Sequence, residues 1–188
     1  LGSFLADSLR GMEKADVALV NPGGLRADLK AGQLTYGDVF EVMPFDNTVA
    51  TLDLSGEELT RLLKAAYSSR KGVFQVSGLQ VKLSKCVTPD RLKGVTLDGG
   101  RPIAPASRYR VVMPDFLARG GDGLAGVLTT IDPAHIDFGQ SRELNFRDAM
   151  VAFWQQRKAP LQAPRLGRVA LLSEKDPCPP SEADGKGQ

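Results

Sequence analysis

The segment from Thr48 to Ser68 switches its hydrophobic period from two residues to about 3.6, with no loop in between. Residues 48–54 alternate in polarity, which predicts a strand with one buried face. Ser55 and Glu58 then form the pattern of a capping box, which marks the start of a helix. Apolar residues follow at helical spacing, at Leu59, Leu62, Leu63 and Ala66. Such a chain must pack a helix directly onto a sheet, because each element has an apolar face to bury.

The same two periods predict further elements along the chain. They are helices at 2–13 and 144–157, and strands at 17–20, 74–83, 109–113 and 169–172. Residues 34–40 are amphipathic and fit either a helix or a strand. Residues 95–97 and 101–103 flank Asp98-Gly99-Gly100, which predicts a hairpin. Hairpin-linked strands with helices inserted between them favour an α+β fold, with a mixed β-sheet flanked by helices.

The composition indicates one globular domain with no metal centre of its own. The 188 residues are 42% hydrophobic and 24% charged, with a net charge of +2. We expect the domain to span 1–172 and residues 173–188, which lack large apolar side chains, to form a loose polar tail. Neither a nucleic-acid polymer nor a membrane span is indicated by the Lys/Arg distribution or the apolar runs. One histidine and two cysteines exclude a metal site built from imidazoles and thiolates.

Two loops combine small residues with groups suited to binding a ligand. In residues 21–26, two glycines let the backbone approach a ligand, and Arg26 suits a phosphate or carboxylate. Taken alone, this Pro-Gly-Gly sequence is most often a plain turn. In residues 44–47, Phe45 beside the Asn47 amide offers a stacking face and a hydrogen-bonding edge to a planar base. The alternative is that Phe45 is tucked into the core beneath a turn.

A third loop, residues 115–123, carries Phe116 and the sequence Gly120-Gly121-Asp122-Gly123. Such a turn is tight enough to point Asp122 at a ligand, and a carboxylate is the usual acceptor for the vicinal hydroxyls of a ribose. The alternatives are a purely structural glycine turn or a calcium loop. A calcium loop needs further acidic ligands at alternate positions, and this segment lacks them.

In this order and at compatible spacing, the three loops resemble the C-terminal domain of the 5′-nucleotidase / UDP-sugar hydrolase / 2′,3′-cyclic nucleotide phosphodiesterase family. The resemblance runs from Leu1 to about Leu172. It includes the motifs LTYGDVF at 34–40, LSGEEL at 54–59 and FQVSG at 74–78. It implies the fold of that domain and a division of labour: a metallophosphatase domain N-terminal to it holds two divalent metal ions, and this domain binds the nucleotide or nucleoside.

The resemblance also implies a role for each candidate residue. Phe45 and Phe116 would sandwich the base, and Asn47 would meet its edge. Asp122 would hold the ribose hydroxyls. Members of the family also use arginines from the segment just before the Leu-Gly at position 1, which this chain does not contain.

For the phosphate, the resemblance implies contact with Arg26 and places Asn21 close to the same site. Two departures from the family pattern leave the substrate open. Pro22 stands where many members have Gly, which removes one N–H. Asp46 stands where Gly is common and adds a negative charge near a phosphorylated ligand.

By the same resemblance, the whole enzyme is a periplasmic or secreted hydrolase of nucleotide phosphate esters, and this chain is inactive without the metal-binding domain. Two alternatives stay open. One is a non-catalytic scaffold module of the same fold, and the other is part of a hydrolase acting on a non-nucleotide substrate such as a thiosulfate-type ester. In an exported protein Cys86 and Cys178 either pair or remain as two free thiols.

Overall fold

The computed structural model describes residues 1–68, 72–86, 90–139, 144–164 and 166–172. Its helices are α1 (Gly2–Glu13), α2 (Tyr36–Val42), α3 (Gly56–Ser68), α4 (Asp115–Ala118), α5 (Ala125–Leu128) and α6 (Phe146–Gln155). Its strands are β1 (Val17–Val20), β2 (Val49–Ser55), β3 (Gln75–Ser77), β4 (Leu79–Ser84), β5 (Leu92–Leu97), β6 (Arg108–Pro114), β7 (Ile136–Asp137) and β8 (Val169–Leu172).

The strands form two mixed sheets. The larger sheet has five strands in the order β3-β1-β6-β2-β7, and the smaller has three in the order β5-β4-β8. In the larger sheet β1 and β6 are parallel, and all other pairs are antiparallel. In the smaller sheet β4 pairs parallel with β8. The predicted α+β class with mixed pairing and flanking helices is confirmed, with two sheets in place of one.

The larger sheet is covered on both faces, and this explains the uninterrupted apolar run of β1. Val17 and Leu19 join the apolar cluster formed with α3 and the smaller sheet. Ala18 and Val20 point the other way, into the cluster formed with α1, α2 and α6. The strand therefore has no polar face, although its neighbours in sequence are polar.

Capping boxes begin two of the helices, and the one at α3 was predicted from the sequence. At α3 the Ser55 amide donates to the Glu58 carboxylate at 2.7 Å, and the Glu58 amide donates to the Ser55 hydroxyl at 3.2 Å. The bond from the Ser55 amide, more than any other effect, lowers the pKa of Glu58. The ambiguous segment 34–40 forms α2 from Tyr36 onward, because Thr35 and Asp38 make a second capping box.

Two predictions about the strands were wrong. The strand predicted at 74–83 is broken at Gly78, whose φ of +83° ends β3 and sends β4 into the other sheet. A Cβ at Gly78 would overlap the carbonyl oxygen of Asp16, so only glycine fits this break. The hairpin predicted around residues 98–100 has only one strand, β5, which pairs with β4 instead. A single bond from Leu97 N–H to Arg101 O, at 2.8 Å, closes the turn.

Three other predictions concern the polar tail, the cysteines and a membrane span. The polar tail predicted at 173–188 lies outside the described residues. Cys86 takes part in a disulfide bond, and the other cysteine of the sequence, Cys178, lies outside the described residues. Within the described part of the chain, none of the helices is both long and apolar enough to traverse a bilayer.

Candidate functional site

The topology of the larger sheet brings the three candidate loops to one edge. Parallel strands β1 and β6 end at the same edge, and antiparallel β2 begins there, with Val49 opposite Pro114. The residues that follow β1, precede β2 and follow β6 therefore converge. They surround a cleft of about 170 Å³, lined by Asn21, Gly23, Gly24, Phe45, Asn47, Phe116 and Asp122.

Two phenylalanines with similar exposure line this cleft. Phe45 is 46% exposed and Phe116 is 44% exposed. Fully apolar rings of this size are usually buried, so two half-exposed rings on one cleft indicate a surface for a flat, apolar ligand. Phe45 is therefore not part of the core beneath its turn, which was the alternative that the sequence left open.

The turn that carries Phe116 and Asp122, residues 115–123, is here called the Phe116 turn. Gly120 and Gly123 have φ values of +97° and +89°, and Asp122 lies in the left-handed region at φ +53°. The Phe116 ring rests on Gly121, where a Cβ would overlap it. The glycines thus allow both the tight backbone and the position of the ring.

Asn21 is buried at the base of the cleft and orients the carboxylate of Asp122. Its Nδ2 donates to Asp122 Oδ2 at 2.6 Å. Its Oδ1 lies beside Gly24, where a Cβ would come within 3.0 Å of that oxygen. With one carboxylate oxygen taken by the amide, the other acceptor positions of Asp122 stay available to a ligand.

The loop that carries Phe45 and Asn47, residues 43–48, is here called the Phe45 loop. Asp46 pairs with Arg147 of α6 at 2.9 Å, so its charge is compensated within the protein. The expectation was that Asp46 adds a negative charge near a phosphorylated ligand, and the ion pair with Arg147 offsets that charge. No local pattern in the sequence indicates Arg147, which lies 101 residues away from Asp46.

Asp115 is a second residue that the sequence analysis missed. Its carboxylate accepts the Thr48 amide at 2.9 Å and Arg119 Nε at 3.1 Å. The Asp115 amide in turn donates to Thr48 O at 3.0 Å. Asp115 therefore ties the start of the Phe116 turn to the end of the Phe45 loop. An acidic residue in the first turn of a helix was the available signal.

Arg26 is the one predicted site residue that does not line the cleft. Its side chain is exposed, and its backbone N–H donates to Val42 O at 2.9 Å. The structure thus brings five of the six candidate residues together, and their individual roles stay predictions. Among the residues that the structure describes, no three His, Cys, Asp or Glu side chains come together as metal ligands.

A larger groove of about 610 Å³ lies elsewhere, between the start of α1 and residues 28–34 and 160–164. Its walls are mostly aliphatic, and none of the candidate residues contributes to it. The smaller cleft is the better candidate, because it combines two exposed rings with an amide and an oriented carboxylate.

The fold and the cleft define an α+β domain that presents aromatic and polar groups at one sheet edge. The chain belongs to the family described as 5′-nucleotidase, C-terminal domain, whose profile matches residues 1–129. This confirms the family resemblance that the loops predicted.

Individual relatives agree with this membership. The chain is 32% identical over 142 residues to a 5′-nucleotidase of Vibrio parahaemolyticus, covering 74% of this chain and 24% of the relative. It is 31% identical over 153 residues to the cell wall protein Lmo0130 of Listeria monocytogenes, covering 71% of this chain and 20% of that protein. Its structure resembles that of a 5′-nucleotidase precursor from Thermus thermophilus, with a TM-score of 0.78 and 28% identity over 92% of this chain and 35% of that one. The chain thus spans about a fifth to a third of the length of these relatives.

Proposed function

We propose that this chain is the nucleotide-recognition domain of a metal-dependent phosphohydrolase. The observation that carries the proposal is the pair of half-exposed rings, Phe45 and Phe116, on one cleft with Asn47 and Asp122. A base inserted between two rings gains stacking on both faces, which is tolerant of base identity. The Asn47 amide has both a donor and an acceptor to offer to the edge of the base.

The ribose is assigned to Asp122. Its carboxylate is an acceptor for two vicinal hydroxyls, and the bond from Asn21 fixes its orientation before a ligand arrives. In this proposal Asn21 acts on the ribose site through Asp122, because its amide nitrogen already has a partner there. The resemblance, in contrast, implied that Asn21 lies close to the phosphate site.

The phosphate is assigned to Arg26 at the outer end of the same loop. Its exposed guanidinium is unsuited to the base or ribose, since it does not line the cleft. The resemblance implied this contact, and a guanidinium binds phosphate through two parallel hydrogen bonds. The expected signature is that Arg26→Ala weakens AMP binding and leaves adenosine binding unchanged.

Hydrolysis is assigned to a second domain of the parent protein, a metallophosphatase with two divalent metal ions. The described residues bring no set of metal ligands together, and no metal-assisted step is derived from them. Its contribution is to bind and orient the nucleotide for attack by water on the phosphate ester. We expect the 188-residue chain to release no phosphate from AMP, even with added divalent metal.

Calorimetric titration with adenosine and AMP tests the binding proposal. We expect saturable binding by the wild-type chain, weakened by about 1–3 kcal/mol in Phe45→Ala and in Phe116→Ala. Leu171→Ala serves as the control, because Leu171 is an exposed apolar residue of β8 in the other sheet. It should bind like the wild type.

Any of three results would contradict the proposal, the third of them from a parallel titration with thiosulfate. Equal affinity in the wild type and both phenylalanine variants would exclude a sandwich. A folded wild-type chain with no affinity for either ligand would favour the scaffold module, whereas binding of thiosulfate alone would favour a non-nucleotide hydrolase.

We propose further that the parent protein works outside the cytoplasm, in the periplasm or as a secreted protein. The disulfide at Cys86 supports this, because structural disulfides persist in oxidising compartments. One relative is named a cell wall protein. Mass spectrometry of the chain purified without reductant should find Cys86 oxidised, and a quantitative yield of free thiol at Cys86 would contradict the assignment.

A further inference from the structure

Arg147 is a charged residue in the interior of the protein. It lies in the first turn of α6, and only 5% of its side chain is exposed. Buried arginines occur where all of their N–H groups have partners, since an unpaired buried charge is costly. The partners of Arg147 therefore tell what it does.

Three bonds of this guanidinium go to the Phe45 loop. Nη1 donates to Met43 O at 3.0 Å and to Phe45 O at 3.5 Å. Nη2 donates to Asp46 Oδ1 at 2.9 Å. A single planar group thus binds the backbone on both sides of Pro44 and the side chain that follows Phe45.

The guanidinium is itself held in place by α2. Nε donates to Tyr36 Oη at 2.9 Å, and Cζ lies 4.7 Å from the centre of the Phe40 ring. Tyr36 Oη also donates to Asp148 at 2.7 Å, and this carboxylate lies 3.7 Å from Arg147 Nε. Burial alone would lower the pKa of Arg147, but the bonds to Tyr36 and Asp46 raise it above its usual value. The cation is therefore permanent and its plane is fixed.

The Phe45 loop has no regular secondary structure between α2 and β2. The Phe45 ring is too exposed to anchor the loop by packing. Another bond from α6, Phe146 N–H to Asn47 O at 2.6 Å, acts one residue from Arg147. Asp115 holds the far end of the loop at Thr48, whereas the bonds next to Phe45 itself come from the start of α6, mainly from Arg147.

We propose that Arg147 is a positioning residue that holds Phe45 in the orientation needed to stack on a base. This inference rests on the proposed function for its ligand, but the effect on the loop is independent of any ligand. Arg147 touches no base; it acts through the loop backbone.

Hydrogen exchange of the free chain tests the positioning. Two variants are used: Arg147→Lys, which keeps the cation but lacks the planar fork, and Arg147→Met, which keeps only the stem. In segment 45–48 the Thr48 amide reports opening, because it donates to Asp115. We expect its exchange to rise about tenfold in the Met variant and less in the Lys variant, as local opening becomes easier. Exchange across residues 116–123, which leave out the Asp115 amide bonded to Thr48 O, should be unchanged. General destabilisation would not produce that result.

A double-mutant cycle on adenosine affinity tests the route of the effect. Arg147→Lys should weaken binding about tenfold in the wild type. In a Phe45→Ala background the same substitution should have no further effect, because the ring through which Arg147 acts is gone.

Unchanged exchange at 45–48, or an equal rise in both segments, would overturn the proposal. An undiminished affinity loss in the Phe45→Ala background would overturn it as well. If the wild type binds neither adenosine nor AMP while exchange rises only at 45–48, the positioning stands and the proposed function fails.

Discussion

The Phe45 loop and the Phe116 turn present rings of nearly equal exposure to the same cleft, but different interactions fix them. The Phe116 turn is held from within, by glycines and by an aspartate at positive φ, and by a ring that rests on Gly121. The Phe45 loop is held from outside, by Arg147 and Phe146 on α6 and by Asp115 at its far end. One half of the site is thus built from neighbouring residues and the other half from a distant helix.

This difference predicts how each half responds to change. Most residues adopt the backbone conformations of the Phe116 turn only under strain. Substitutions of its glycines therefore lower the stability of the protein directly. Hydrogen bonds from one side chain are individually weaker, so the Phe45 loop should loosen without unfolding the protein. The site therefore combines a rigid segment, the Phe116 turn, with the Phe45 loop, whose position depends on contacts with other elements.

The largest effect is expected from Gly120→Ala. A Cβ there would lie 2.8 Å from Ala125 Cβ and 2.9 Å from Ala125 Cα, at a φ of +97°. We expect a loss of about 3 kcal/mol in the free energy of unfolding, from overpacking and backbone strain together. Urea denaturation measures it. Gly99→Ala is the control, because Gly99 has a φ of +78° with open space around it, and strain alone should cost about 1 kcal/mol. Equal losses would mean that packing does not define the turn.

Asp115→Ala should affect both halves at once. It removes the acceptor of the Thr48 amide and of Arg119 Nε. We expect a loss of about 1–2 kcal/mol in unfolding free energy, together with weaker adenosine binding. Asp132→Ala is the matched control, since Asp132 accepts the Ala134 amide in an exposed turn. It should lower stability without changing affinity, and a similar drop in affinity for both variants would contradict the link between the loops.

Asp46→Asn should have a small effect on adenosine affinity. This variant removes the ion pair of Arg147 and keeps its bonds to backbone carbonyls, so it separates the two contributions. Asp46 is 79% exposed, and pairs with such exposed partners contribute little. The bonds from Arg147 to Met43 and Phe45 would remain. Calorimetry should give an adenosine affinity within about twofold of the wild type. A loss as large as that of Arg147→Lys would assign the positioning to the ion pair instead.

The smallest effect concerns Asp38, which caps the helix leading into the Phe45 loop. Bonds from the Thr35 hydroxyl and amide lower the pKa of Asp38 below its model-compound value of 3.8. The ionised carboxylate therefore stabilises α2 above the unfolded pKa, and this contribution is lost as the pH falls through the lower native value. A titration followed by carboxyl NMR shifts should find the lower pKa, and Asp38→Asn should abolish the pH dependence of amide protection in α2. If the Phe45 loop loosens over the pH range in which Asp38 becomes protonated, then α2, and not Arg147, holds the loop.

Much of the fold and most of the candidate site followed from local patterns. The capping box at Ser55 and Glu58, the buried run of β1 and the amphipathic face of α6 need only nearby residues, so periodicity revealed them. Five of the six candidate site residues were found by their loop motifs and do meet at the cleft. Gly78 was misread, because its break depends on the carbonyl of Asp16, which comes close only in the folded sheet.

The sequence by itself determined most of the longer elements, the family and the residue types available for binding, because each is set by spacing along the chain. Only the tertiary structure decided that Asn21 orients Asp122, that Asp115 joins two loops and that Arg147 holds Phe45. The partners of Asn21, Asp115 and Arg147 lie 101, 67 and 104 residues away in the chain. Hydrogen bonds and ion pairs act over a few ångströms in space. The spacing of residues along the chain does not show which distant residues the sheet brings together.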